Sequence, residues 1–204
     1  MLLLMHGIEP NPGPEGDKSN KPNFTVRTYN CNGLGNIDKF RRVLIKAGKE
    51  VQKGGIILLQ ETHIVDEDLI KLYWKMKYAS SCVSTNSGGV MILYDNSWEL
   101  LEYEVDDEGR FCAVVIENEK MKLLVVNLYC PNNHRDSFEF MENVYDKIYE
   151  LLDKHPDSFV VLGGDFNACM SEEDYLNRNK TRCETKLTDY IKANNKTCGI
   201  MDSY

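Results

Sequence analysis

Phe159-Val-Val-Leu-Gly-Gly-Asp165-Phe-Asn167-Ala168 is an apolar run that ends abruptly in polar residues. The run from Phe159 to Leu162 has the length and composition of a strand buried on both faces. Gly163 and Gly164 then allow a sharp turn, or a close approach of the backbone to something else. A carboxylate and an amide follow two residues apart, a spacing that points both to one side in extended backbone. Two interpretations stay open from this stretch alone. It is a strand tip that presents an acid and an amide to a ligand, or a turn in which Asp165 and Asn167 bond their own backbone.

The pattern recurs upstream. Phe24-Thr-Val-Arg-Thr-Tyr-Asn30 alternates as a strand does and exits through Cys31-Asn32-Gly33-Leu34-Gly35. Asn30 and Asn32 therefore emerge on one side of a strand end. Ile56-Ile-Leu-Leu-Gln-Glu61-Thr-His63 is a second buried strand that ends in a carboxylate. Glu61 follows the apolar run so closely that it needs a salt bridge or a metal ion as partner. His63 is expected at the surface or behind any site. Lys122 to Tyr129 reads as a strand stopped by Cys130-Pro131, because proline cannot continue a ladder. Tyr129 thus stands at a strand exit too.

Helical spacing separates these strands. Ile37, Phe40, Leu44, Ala47 and Val51 form one stripe, ended by Gly54-Gly55. Asp66 is placed to cap a helix running to about Met76. Asp136 with Glu139 has a capping-box pattern before the stripe Phe138, Met141, Tyr145, Ile148 and Leu152. Leu187, Tyr190 and Ile191 predict a last helix, and Gly199 to Tyr204 a beginning strand. Strands are also expected near Ala79–Ser84, Gly89–Tyr94, Trp98–Glu104 and Phe111–Glu117. With no helices between them they should run antiparallel.

The 204 residues suit one domain with a full core. A net charge of −8 opposes nonspecific capture of nucleic acid, so handling phosphate requires a bound cation or a local basic patch. Arg178, Lys180, Arg182 and Lys186 form the densest basic cluster, either a solvated loop and helix start or a contact for phosphates. The seven cysteines are scattered without a Cys-x-x-Cys pair. That predicts reduced thiols in the cytoplasm or nucleus, not a secreted protein. No run is apolar enough to span a membrane. No oligomer and no small-molecule cofactor are expected.

Four strand tips thus carry Asn30/Asn32, Glu61, Tyr129 and Asp165/Asn167. Strand ends are where α/β proteins bind ligands. Two acids, amides and a phenol suit a hard cation such as Mg²⁺ together with a phosphate. The chemistry such a set supports is phosphodiester hydrolysis, in which a metal neutralises the ester and a base aims water.

Tyr29-Asn-Cys-Asn-Gly-Leu34, Leu59-Gln-Glu-Thr-His63, Asn127-Leu-Tyr-Cys-Pro-Asn132 and Gly163-Gly-Asp-Phe-Asn167 occur in that order. Together they resemble the motifs of the endonuclease/exonuclease/phosphatase superfamily. The likeness is greatest to the apurinic-endonuclease-like domain of LINE-type (non-LTR) retrotransposons, and it covers residues 24–204. The resemblance implies a four-layered α/β sandwich of two mixed sheets with helices outside. It implies Mg²⁺ or Mn²⁺ as cofactor and DNA as partner. Glu61 would be the principal metal ligand, with Asn30 and Asn32 in or near the metal shell. Tyr129 would contact the phosphate, Asp165 would orient or deprotonate water, and Asn167 would hold the phosphate in the transition state. A domain of this kind nicks target DNA, and the freed 3′ hydroxyl primes reverse transcription.

Residues 1–23 are expected to be a leader and linker. Ile8, Glu9, Asn11, Pro12, Gly13 and Pro14 resemble a 2A-type ribosome-skipping peptide, with Gly7 where that family carries Asp. The resemblance implies a junction at Gly13–Pro14. The family's two later motifs, an Asp-containing strand and a Ser/Asp-His, have no counterpart before Tyr204. The expectation is a domain incomplete at its C-terminus, with impaired activity. The alternatives are a phosphatase or phospholipase of the same superfamily, and a non-catalytic remnant of a retrotransposon reading frame.

Overall fold

The computed structural model describes residues 2–5, 24–168 and 182–202. The fold follows from how apolar residues alternate along its strands. In β3 (Ile56–Gln60), Ile56 and Leu58 face one apolar layer while Ile57 and Leu59 face another. In β8 (Lys122–Tyr129), Leu123 and Val125 face the first layer, and Leu124, Val126 and Leu128 face a third. Strands apolar on both faces must be covered on both faces, which builds a stack of layers.

One sheet holds four strands in the order β2 (Val26–Asn30), β3, β5 (Val90–Tyr94) and β4 (Lys77–Ser81). β2 and β3 are parallel and the other pairs antiparallel. The other sheet holds six, in the order β10 (Ile200–Asp202), β1 (Leu2–Met5), β9 (Phe159–Asp165), β8, β7 (Phe111–Glu117) and β6 (Glu99–Val105). Here β8 and β9 are parallel. Helices α1 (Ile37–Val51) and α2 (Glu67–Tyr73) cover the outer face of the smaller sheet through Phe40, Leu44, Val51, Ile70 and their neighbours. Helices α3 (His134–Lys154) and α4 (Arg182–Thr197) cover the larger sheet through Met141, Tyr145, Ile148, Leu187 and Ile191. The expected α/β architecture, a four-layered sandwich of two mixed sheets flanked by helices, is the observed one.

Details depart from expectation for physical reasons. Helix α3 begins earlier than the Asp136 pattern predicts, because Asn133 caps it by accepting from Arg135 N at 3.1 Å. Helix α2 stops at Tyr73 because Trp74 turns extended, buries its ring and donates from its indole to Lys77 O at 3.0 Å. Leu2–Met5, which the sequence pattern leaves in the leader, is a strand antiparallel to both β9 and β10. Gly163-Gly164 is not a turn. The strand runs through both residues, and Gly164, at φ +138°, lies so close to β8 that a side chain there would collide with the Leu128 backbone.

Candidate functional site

Between the sheets four inward-facing rows start apolar and end polar. The rows are Val26-Thr28-Asn30, Ile56-Leu58-Gln60, Leu123-Val125-Asn127-Tyr129 and Val161-Gly163-Asp165, by the two-residue period of a strand. Parallel pairing brings the polar ends to one edge, since Asn30 is level with Gln60 and Tyr129 with Asp165.

Strict alternation would send Glu61 outward, after inward Gln60. A φ of +50° at Glu61 breaks the alternation. Its Oε1 then accepts from Asn30 Nδ2 at 2.7 Å, and the same nitrogen donates to Asp165 Oδ2 at 3.0 Å. One amide nitrogen thus joins carboxylates from both sheets. Among the described residues the other non-glycines at positive φ are Asn32, His63 and Asn167, all within the same motifs. Such backbone is uncommon outside glycine and gathers where surrounding structure imposes it.

The loop after β2 is held from behind. Asn30 Oδ1 accepts from Asn32 N at 2.9 Å. Lys39, on the first turn of α1, donates from Nζ to Cys31 O at 2.6 Å and Asn32 O at 3.0 Å. The His63 ring packs against Gly33, leaving no room for a side chain there. Asn32 contributes its backbone N–H to this arrangement, and its side chain is exposed.

The Tyr129 phenol stands beside Glu61, and Arg110 lies over its ring, 5.2 Å from guanidinium carbon to centroid. Arg110 Nη1 also donates to Tyr129 O at 3.3 Å. Burial, then the adjacent Glu61 carboxylate, push the phenol pKa above its usual value, while Arg110 pulls the other way. Asp165 Oδ1 accepts from Asn167 N at 3.2 Å, the local bond of a turn, while Oδ2 reaches Asn30. Asn167 Nδ2 donates to Cys130 O at 2.6 Å.

The structure therefore brings Asn30, Glu61, Asp165 and Asn167 into one hydrogen-bonded cluster with Tyr129 beside it. Arg178, Lys180, Gly13 and Pro14 lie outside the described residues. Arg182 opens α4, with its side chain outside the described set, and Lys186 is exposed. Sequence inspection missed Arg110 and Lys39. Arg110 had a weak signal, as a base closing the turn Asp106-Asp-Glu-Gly-Arg110 just before a strand. Lys39 had none, because lysines on an exposed helix face are ordinary.

Two carboxylates on one edge, rimmed by amides and a phenol, form an oxygen-rich set. It fits a hard divalent cation of the kind held by one or two carboxylates and completed by water. Among the described residues no three of His, Cys, Asp and Glu gather as a metal cluster. Asn30 turns its N–H pole to the carboxylates and acts as their donor.

A family model described as "Endonuclease/Exonuclease/phosphatase family" matches residues 28–200. The fold is similar to that of TDP2 from Caenorhabditis elegans (18% identity, TM-score 0.55, 76% of this chain and 49% of that one). It is also similar to the endonuclease domain of TRAS1, a telomere-specific non-LTR retrotransposon (13%, 0.57, 85% and 71%). An AP endonuclease from Archaeoglobus fulgidus is a third relative in fold (17%, 0.60, 83% and 69%). The chain spans about half the length of the C. elegans TDP2 structures it matches.

Proposed function

Because the chain belongs to the endonuclease/exonuclease/phosphatase family, we propose that it is a divalent-cation-dependent phosphodiester hydrolase that nicks DNA, the endonuclease of a non-LTR retrotransposon. One observation carries the proposal: Asn30 Nδ2 joins Glu61 and Asp165 across the two sheets at the edge where Tyr129 and Asn167 also end. The TRAS1 domain and the AP endonuclease, similar in fold, support DNA as the substrate.

Glu61 would hold the cation, with Asn30 beside it aligning the carboxylate through its N–H, and the bound cation would offset the charge of the phosphodiester. Asp165 accepts the proton of an attacking water at a carboxylate oxygen, held in place by Asn167 N and Asn30 Nδ2. Tyr129 stays protonated through neutral pH and donates to a phosphate oxygen, with Arg110 fixing its ring. Asn167 Nδ2 donates to a second phosphate oxygen as negative charge builds there. The ester bond breaks as the water oxygen attacks phosphorus, and the leaving 3′ oxygen takes a proton from solvent to become the 3′ hydroxyl that serves as a primer.

A plasmid-nicking assay with Mg²⁺ or Mn²⁺ tests the proposal. Supercoiled DNA should be converted to open circles only with the cation, and Asp165→Ala should slow this by about 10²-fold or more. Nicking indifferent to Asp165→Ala, or turnover of a phosphoinositide with DNA left intact, would overturn it.

A further inference from the structure

The layer between the sheets is apolar over most of its length, with two polar side chains buried beneath the cluster. Asn127 is 0% and Gln60 1% exposed. They face each other across the sandwich, and Gln60 Nε2 donates to Asn127 Oδ1 at 2.7 Å. Asn127 Nδ2 donates to Leu59 O and to Met91 O, each at 2.9 Å. Gln60 Oε1 accepts from Thr28 Oγ1 at 3.1 Å. One residue of β8 is therefore bonded, directly or through Gln60, to all three adjoining strands β2, β3 and β5 of the opposite sheet.

Stability does not require this arrangement. Both rows could have stayed apolar, and a satisfied buried amide pair is at best comparable with well-packed hydrophobes. What the amides add is direction. Apolar contacts tolerate sliding between sheets, whereas a bond at 2.7 Å fixes separation and register together. The residues that follow are those of the cluster. Glu61 comes directly after Gln60, and Tyr129 is next on the row of Asn127, level with Asp165.

We propose that Gln60 and Asn127 are positioning residues: their buried bridge sets the spacing of the two sheets beneath the cluster and so places Glu61 against Tyr129 and within reach of the amide that also holds Asp165. The proposal rests on the hydrolase reading for its consequence in catalysis, but not for its geometry.

The test uses the full chain with Gln60→Leu and Asn127→Leu together, which removes the bridge without stranding either amide. Two measurements separate the possibilities. The first is the NMR signal of the Asn30 side-chain amide, which reports whether Glu61 and Asp165 still share that donor whether or not the protein cuts DNA. The second is nicking kinetics with Mn²⁺. The double variant should unfold cooperatively in urea, its Asn30 amide signal should shift as Glu61 withdraws, and kcat should drop about 10-fold or more with KM for DNA little changed. A folded double variant with the Asn30 amide signal and kcat at wild-type values overturns the proposal. If the double variant does not fold, Gln60→Met decides by the same readouts, since Asn127 then keeps its bonds to Leu59 O and Met91 O while the bonds of Gln60 to Asn127 and Thr28 are lost. If the wild-type chain does not nick DNA, the hydrolase reading fails, and the Asn30 amide signal still decides the bridge.

Discussion

Glu61 and Asp165 lie in different sheets, yet each accepts a hydrogen bond from one atom, Nδ2 of Asn30. That nitrogen ties the two sheets together at this edge. Asn30 is therefore central to whatever the edge binds.

Asn30→Leu removes the shared donor at nearly constant size. Mn²⁺ affinity measured by calorimetry should fall about 10-fold or more, and nicking by about 10²-fold, with the melting temperature little changed because Asn30 is exposed. Unaltered Mn²⁺ binding would show that the cation sits elsewhere.

Gly164→Ala tests the close approach of β9 to β8. A methyl group there meets the Leu128 backbone, and φ +138° is costly for any side chain. The two effects together should cost about 3 kcal/mol or more in urea unfolding, or prevent soluble expression. A loss below about 1 kcal/mol would mean that the strands separate locally without harm.

The buried thiols make alkaline stability a test of packing. Burial pushes Cys31 up to about 11 and Cys130 up to about 12, and raises Cys112 further, from an ordinary value near 9.0. With the folded pKa raised, each thiol's contribution is fully present below its unfolded pKa and is lost as pH rises through the folded one. Stability measured by urea titration should therefore hold to about pH 9 and decline steadily from there to about pH 12. Cys112→Ala should flatten part of that decline while lowering stability at neutral pH. An unchanged profile from pH 8 to 11 would contradict the burial of these thiols.

Much of the cluster was legible because strands carry their polarity in order. Asn30, Tyr129 and Asp165 each end a row that begins apolar, and a two-residue period is enough to see it. Glu61 was legible for a different reason, as a carboxylate too close to a buried run to be left alone. Its direction was not, since alternation points it away and only a φ of +50° returns it. Leu2–Met5 was opaque, because a short apolar segment before a long polar one carries no local sign that it pairs between β9 and β10.

By itself the amino-acid sequence determined most of the strands and helices and the strand tips that bear polar groups, because hydrophobic period and turn chemistry are local properties of the chain, while the layered sandwich was an expectation from the resemblance of its motifs. Only the tertiary structure decided that Asn30 bonds Glu61 and Asp165 at once, that Arg110 lies on Tyr129, and that Gln60 meets Asn127 in the interior. Those relationships depend on how two sheets face each other, and a hydrogen bond between distant segments leaves no periodicity along either of them.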